Sequence, residues 1–113
     1  MKPKILYIRI KEQHLFARIA AWKLGASGAM AITLGHTIYL HKVRTVEFLH
    51  NRPWLQHELT HVHQFRQWGF WTFLYRYIKE SIRKGYHDNS YERAARNMEQ
   101  KKFQIIGYYY IIT

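Results

Sequence analysis

Apolar residues recur along the chain with two different periods, and these periods predict its helices and strands. Helical periodicity is clearest in the second half and predicts three helices, over residues 53–68, 71–84 and 90–103. Gly69 and Gly85 are expected to end the first two helices, since glycine is common just past a helix C-terminus. Pro53 suits a first helical turn, and Asn51 or Arg52 is the candidate cap.

The first half of the chain alternates between strand and helix patterns. Residues 4–10 are rich in β-branched and aromatic types and predict a strand, and residues 11–24 have a nearly helical period that Gly25 would end. Residues 31–40 predict a β-hairpin around Gly35-His36, with a type II′ turn that places Ile38 and Leu40 on one face. Residues 41–51 form a connection of uncertain shape, and residues 105–112 are either a closing strand or an interaction tail.

Together these elements predict an α+β fold in a single domain, residues 1–113. A short N-terminal β-hairpin and sheet would pack on the helix over residues 53–68 and on the two further helices. The chain has 113 residues and 17% aromatic residues, enough for a modest core. It has no cysteine, which excludes disulfides and thiolate metal ligands, so that a metal site here must use histidine and carboxylates.

The net charge is +11, from 18 Lys and Arg residues against 7 Asp and Glu residues. The basic residues are scattered, with short pairs such as Arg83-Lys84, so we expect weak binding to polyanions rather than a dedicated nucleic-acid surface. No apolar run approaches the length of a membrane span. The N-terminal residues do not resemble a signal peptide, which favours a cytoplasmic location.

The most informative motif is His57-Glu58-Leu59-Thr60-His61. Residues at i and i+4 share one helix face, so His57 and His61 would present two nitrogen ligands to one zinc ion. Glu58 would hold a metal-bound water and take its proton as general base. The alternative is a surface helix with two unremarkable histidines.

Catalytic zinc sites usually have a third protein ligand. Position 67, six residues after His61, is Gln, and His63 would point away from the metal face. Glu92 is the best-placed candidate, since a helix–turn–helix after His61 would return the chain beside it. Glu92 also fits a capping box with Asn89, and Glu99, about two turns later, is the fallback ligand.

Large apolar side chains crowd the junction of the first two of these helices. Most of Trp68, Phe70, Trp71, Phe73 and Tyr75 are expected in the core, and the alternative is an exposed patch that binds a partner. In the second helix the expected inner face consists of Leu74, Tyr77, Ile78 and Ile82.

Residues 31–96 resemble small bacterial HExxH domains, the extracellular contractile injection system core domains, and more broadly the gluzincin metallopeptidases. The resemblance rests on a Thr-x-Gly-x-x-Ile hairpin that starts at Thr33, on Leu-x-x-His-Glu-x-x-His-x-x-Gln, here Trp54-Leu55-Gln56-His57-Glu58-Leu59-Thr60-His61-Val62-His63-Gln64, and on Glu92-x-x-Ala95. It implies a zincin-like fold, with His57, His61 and Glu92 as zinc ligands and Glu58 as base.

Two departures from the pattern of this family concern the third-ligand motif. Ala94 replaces a glutamate, and Arg96 replaces an acidic residue that often supports a neighbouring histidine through its outer nitrogen. A backbone carbonyl is therefore the expected acceptor for His57 or His61.

The sequence thus favours a zinc metallopeptidase acting on a peptide or protein substrate. Tyr86 and His87 are candidates to stabilise an oxyanion, and the strand over residues 37–40 is the candidate edge for pairing with an extended peptide. The alternatives are an inactive zinc-binding interaction module, a basic nucleic-acid-binding domain, or one part of a larger assembly. The oligomeric state does not follow from the sequence.

Overall fold

The computed structural model describes residues 6–12, 18, 28–101 and 108–112. Within these residues there are four strands and four helices. The strands are β1 (Leu6–Lys11), β2 (Met30–Leu34), β3 (Thr37–His41) and β4 (Tyr108–Ile112). The helices are α1 (Thr45–His50), α2 (Arg52–Trp68), α3 (Phe70–Lys84) and α4 (Ser90–Met98).

The strands form one mixed sheet in the order β2-β3-β1-β4. β2 and β3 pair as an antiparallel hairpin, with Met30 opposite His41. β1 runs parallel to both of its neighbours, β3 and β4. The two edges of this sheet are therefore β2 and β4, and β3 lies in its interior.

The hairpin turn at Gly35-His36 explains how the sheet meets α3. Gly35 has a φ of 63°, and His36 does not share this left-handed conformation, which fits the expected type II′ turn. A Cβ atom on Gly35 would lie 3.3 Å from the ring of Phe70, the first residue of α3. Glycine therefore permits both the turn and the close approach of α3.

The core lies between one face of the sheet and helices α1 and α2. Alternation along β1 and β3 places Ile8, Ile10, Ile38 and Leu40 on this face, where they are fully buried. The helices contribute Phe48, Leu55, Leu59 and Val62 to the same cluster. Leu55, Leu59 and Val62 lie on one side of α2, so the opposite side of this helix faces α4.

The helix boundaries follow from local chemistry. The Asn51 side chain caps α2 by accepting a hydrogen bond from the Trp54 amide at 3.3 Å. Gly69 and Gly85, with φ of 82° and 83°, stand at the ends of α2 and α3. Asn89 caps α4 by accepting from the Tyr91 amide at 2.8 Å.

These observations confirm the predicted α+β class, the hairpin, the two glycine-terminated helices and the closing strand. The predicted helix over residues 11–24 lies almost entirely outside the described residues, although Lys11 itself belongs to β1. The last helix ends at Met98, earlier than the predicted residue 103, and the connection over residues 41–51 contains α1. In the described part of the chain, no helix is both long and apolar enough to cross a membrane.

Candidate metal centre

His57 and His61 lie on one face of α2, one turn apart. Their ring centroids are 5.0 Å apart and the rings are inclined by 74°. His61 is buried, and the His57 side chain is 12% exposed. The predicted spacing thus places two imidazoles side by side.

Glu92 reaches these histidines from the first turn of α4. Its Oε1 atom lies 3.0 Å from Nε2 of His57 and 3.2 Å from Nε2 of His61. Buried Asn89 fixes this approach, since its Nδ2 donates to the Tyr77 carbonyl at 3.1 Å and to the Ser81 hydroxyl at 2.9 Å. Asn89 caps α4 as expected. Both Glu92 oxygens bond to side chains of other helices, so Glu92 belongs to the histidine cluster rather than to a capping box.

His57, His61 and Glu92 form a group that could hold a metal ion, with one ligand atom from each residue and all three atoms within 4.8 Å of one another. Four tetrahedral ligands about 2.0–2.1 Å from zinc would lie roughly 3.3 Å apart. The two distances between Nε2 and Glu92 Oε1 are 3.0 and 3.2 Å. The donor set and its spacing therefore fit zinc.

The atoms of this group that face away from the common point are bonded to other side chains. His57 Nδ1 lies 2.7 Å from Glu99 Oε2, and His61 Nδ1 lies 2.8 Å from Gln64 Oε1. The Tyr77 hydroxyl donates to Glu92 Oε2. Donation from both Nδ1 atoms fixes the two rings so that both Nε2 atoms point at Glu92 Oε1. Loss of the Nε2 protons would free their lone pairs for a metal ion.

This arrangement corrects the expectation that a backbone carbonyl supports a histidine. A carboxylate and an amide oxygen take that role instead, because the end of α4 brings Glu99 to the outer nitrogen of His57. Glu99 was the fallback ligand, but it lies on the side of the ring away from Glu92. The Gln64 amide is itself oriented, since its Nε2 donates to the Tyr91 carbonyl at 3.2 Å.

The C-terminal end of α4 is held against α2 by one buried side chain. Gln56 Nε2 donates to the carbonyls of Met98 at 2.7 Å, Glu99 at 3.0 Å and Lys101 at 3.0 Å. The Met98 carbonyl ends α4 and also accepts from the Lys101 amide at 3.3 Å, whereas the carbonyls of Glu99 and Lys101 follow the helix. Gln56 therefore keeps Glu99 within reach of His57.

The electrostatics of the group reflect its burial and its mixed charges. Burial lowers the pKa of His57, but hydrogen bonding to Glu92 and the charge of Glu58 outweigh it and raise that pKa to about 9. Burial raises the pKa of Glu92, but hydrogen bonds with both histidines hold that pKa far below its usual range. In the metal-free protein at neutral pH, Glu92 is therefore ionised and His57 is protonated.

Glu58 is buried beside this group and is held by the sheet. The Thr33 hydroxyl of β2 donates to its Oε1 atom at 2.7 Å. Burial raises the pKa of Glu58, and the charges of His61 and His57 oppose this rise. A carboxylate with a raised pKa beside a metal-binding group is suited to accept a proton.

Two clefts meet at the metal-binding group, with volumes of about 370 and 420 Å³. His57, Glu58 and Tyr86 line both of them, together with Met30 and Ala31 of β2. The edge strand beside the site is therefore β2. The expectation that residues 37–40 form the edge is wrong, because β1 pairs with the other side of β3.

The two candidates for stabilising an oxyanion differ in position. Tyr86 borders the clefts and is half exposed, and its partial burial and the charge of Glu92 raise its pKa, so that its hydroxyl keeps its proton at neutral pH. The His87 side chain is 87% exposed and lines neither of these clefts. Arg96 donates to the His87 carbonyl at 2.5 Å, which ties down the loop that carries Tyr86.

Sequence reasoning did not assign roles to Thr33, Gln64 and Tyr77. Gln64 stands three residues after His61, so helical spacing alone could have identified it as a neighbour. Thr33 and Tyr77 reach the site from β2 and α3, and the sequence carries no signal for these contacts.

Fold and site together define an α+β protein with a buried histidine and carboxylate group that could hold a metal ion. The family model of the eCIS core domain matches residues 10–69, just over half of the 113 residues. The chain belongs to this family. The match includes His57, Glu58 and His61 but ends before Glu92. No curated protein and no solved structure matches the chain.

Proposed function

We propose that the protein is a zinc-dependent peptidase of the gluzincin type, with a zincin-like fold. His57, His61 and Glu92 are the proposed zinc ligands, and Glu58 is the proposed general base. The observation that carries the proposal is the bonding of the outer ligand atoms to Glu99, Gln64 and Tyr77. A group that only stabilised the fold would not need its three possible metal-ligand atoms, one from each residue, to face a common point.

Each residue of the proposed site would have a separate role in peptide hydrolysis. Bound zinc would lower the pKa of a water molecule and polarise the carbonyl of the scissile peptide. Glu58 would accept the proton of this water and pass it to the leaving amine. Thr33 keeps Glu58 facing the site, and the Tyr86 hydroxyl would donate a hydrogen bond to the developing oxyanion.

The proposed substrate is an extended peptide that pairs with the edge of β2 to which no described strand is bonded. This edge lines both clefts beside Glu58. Pairing with an edge strand binds the substrate through its backbone and leaves side-chain preference to the flanking pockets. The cleft of about 370 Å³ is largely apolar on its α3 side, with Phe73, Leu74 and Ile78 in its lining, which favours an apolar side chain there.

The experiment compares hydrolysis of fluorescently labelled casein by the zinc-loaded wild type and by Glu58→Gln. Glutamine keeps the shape of the side chain but cannot act as a base. We expect the rate to fall by at least about a hundredfold, with zinc content and thermal stability close to those of the wild type.

Glu47→Gln is the matched control, because Glu47 is exposed on α1 and belongs neither to the metal-binding group nor to the lining of the two clefts. It should cleave casein at the wild-type rate. Equal rates in the wild type and in Glu58→Gln would assign the cleavage to a contaminant or another site. A zinc-loaded wild type that cleaves neither casein nor a mixture of peptides would overturn the peptidase proposal in favour of an inactive zinc-binding module.

A further inference from the structure

Helix α3 exposes a row of large apolar side chains. Trp71, Tyr75, Ile78 and Ile82 follow one another at intervals of one turn and are 77%, 66%, 48% and 80% exposed. We call these four residues the apolar strip. The inner face predicted from the sequence included Ile78 and Ile82, but the buried contact of α3 is made by Phe73 instead. A contiguous exposed apolar row of this kind marks an interaction surface.

Basic side chains run beside the apolar strip. Arg76, Lys79 and Arg83, here called the basic strip, share the outer side of α3 because successive residues turn by about 100°. The guanidinium of Arg76 lies 4.1 Å from the centre of the Trp68 ring, and the Lys79 ammonium lies 6.0 Å from that of Tyr75. These ring contacts orient the two cations without neutralising them.

The acidic side chain of α3 is paired with Lys84 rather than with a residue of the basic strip. Glu80 is the one acidic residue in the α3 sequence. Its oxygens accept hydrogen bonds from the Ser90 amide at 2.7 Å and from the Ser90 hydroxyl at 2.6 Å, and Lys84 lies 3.5 Å away. An open groove of about 610 Å³ runs along α3 beside Tyr91 of α4, and all three residues of the basic strip line it together with Glu80 and Lys84.

We propose that this face of α3 docks on the surface of an anionic lipid bilayer. The apolar strip would enter the boundary between headgroups and acyl chains, and the basic strip would contact headgroup phosphates. A helix of 15 residues spans about 22 Å, so that both strips lie along a straight line on a flat surface. This pairing of an apolar side with a basic side is typical of helices that lie in a membrane interface.

Charge complementarity decides between a bilayer and a second copy of the chain. Two copies with a net charge of +11 each would bring their basic strips together, and these strips would repel each other. An anionic bilayer can instead receive the apolar strip among its acyl chains and the basic strip at its headgroups. The basic strip alone would fit an acidic protein, but the protruding apolar strip would then need a matching groove in that protein. Tryptophan and tyrosine are also the residues that prefer the membrane interface.

The proposal does not depend on metal or peptidase activity, but it bears on access to the metal centre. Ile78 belongs to the apolar strip and also lines the cleft of about 370 Å³ that contains His57 and Glu58. Docking would therefore bring one rim of this cleft to the membrane surface.

The test is sedimentation with vesicles of phosphatidylcholine alone and of phosphatidylcholine mixed with phosphatidylglycerol, at low and physiological ionic strength. We expect binding to the mixed vesicles, weakened by salt. Replacing Arg76, Lys79 and Arg83 together with glutamine should weaken binding by at least about tenfold. Trp71→Phe should bind, but with less quenching of tryptophan fluorescence by brominated lipid.

The matched control replaces Arg9, Arg44 and Lys101 with glutamine, which removes the same charge from other exposed positions. It should bind like the wild type. An equal loss of binding in both triple variants would contradict the proposal, since general charge would then explain it. Failure of the wild type to bind the mixed vesicles, or lipid-free dimerisation that Ile82→Ser abolishes, would also overturn it.

Discussion

Glu99 bonds the outer nitrogen of His57, with Oε2 and Nδ1 2.7 Å apart. The resemblance to this family implied an acidic residue at position 96, one turn after Glu92, where this chain has Arg96. In this chain the carboxylate comes from a residue one further turn along, at the end of α4. Glu99 is therefore the acidic partner of His57, and Arg96 holds the neighbouring loop.

Removing this partner should weaken metal binding. Glu99→Ala frees the His57 ring to rotate and lowers the basicity of its Nε2, so we expect zinc affinity to fall roughly 10–100-fold. Glu99→Gln can still accept the hydrogen bond and should lose less. The measurement is competition with a chromophoric chelator, with Glu47→Gln as control. Wild-type affinity in Glu99→Ala would show that Glu99 does not orient His57.

Tyr86→Phe separates oxyanion stabilisation from metal binding. The substitution removes a hydroxyl that borders both clefts and keeps the ring. On the proposed mechanism, kcat should fall on the order of a hundredfold, with zinc content unchanged. Steady-state kinetics with a fluorogenic peptide would measure this, and His87→Ala serves as the control with unaltered kcat. A Tyr86→Phe enzyme with wild-type kcat would exclude Tyr86 from this role.

The metal-free protein should lose stability as the pH rises. The pKa of His57 is raised from 6.5 to about 9, so its contribution is complete below pH 6.5 and disappears as the pH passes 9. The pKa of Glu92 is lowered, so its contribution is present above 4.5 and disappears as the pH falls further.

Thermal unfolding with a chelator present, between pH 6 and pH 9, tests this dependence on His57. The difference in melting temperature between the wild type and His57→Gln should shrink as the pH rises, because both proteins share all other titrating groups. A difference that stays constant or grows would mean that His57 gains no proton affinity from folding.

Binding to generic double-stranded DNA should be weak and should fall steeply with salt. The charge of +11 attracts polyanions, but the basic residues are dispersed. Fluorescence anisotropy at low and physiological ionic strength measures this affinity. Tight, sequence-selective binding at physiological salt would favour a nucleic-acid-binding function instead.

Local periodicity was enough to predict the parts of the site that depend on one helix. The spacing of His57 and His61 follows from 3.6 residues per turn. The approach of Glu92 was predicted because a helix–turn–helix returns the chain antiparallel to itself. The partners of the outer ligand atoms depend on how three elements cross, and spacing within one element carries no information on that.

The same lack of information on contacts between elements explains why the buried residues of α3 and the edge strand of the sheet were predicted wrongly. Helical period divides α3 into two sides, but packing against α2 decides that Phe73 is buried and Trp71 is exposed. The order of the sheet depends on β1 pairing with β3, a contact between residues distant in sequence. Alternation within a hairpin cannot show which of its strands becomes the edge.

The most direct test of the account is the zinc content of the wild type and of His61→Ala, purified without chelator or metal-affinity tag and measured by mass spectrometry of the metal. His61 Nε2 lies 3.2 Å from Glu92 Oε1, at the centre of the proposed ligand group. The account predicts about one zinc per chain in the wild type and almost none in His61→Ala. Negligible zinc in the wild type, or equal zinc in both proteins, would contradict it.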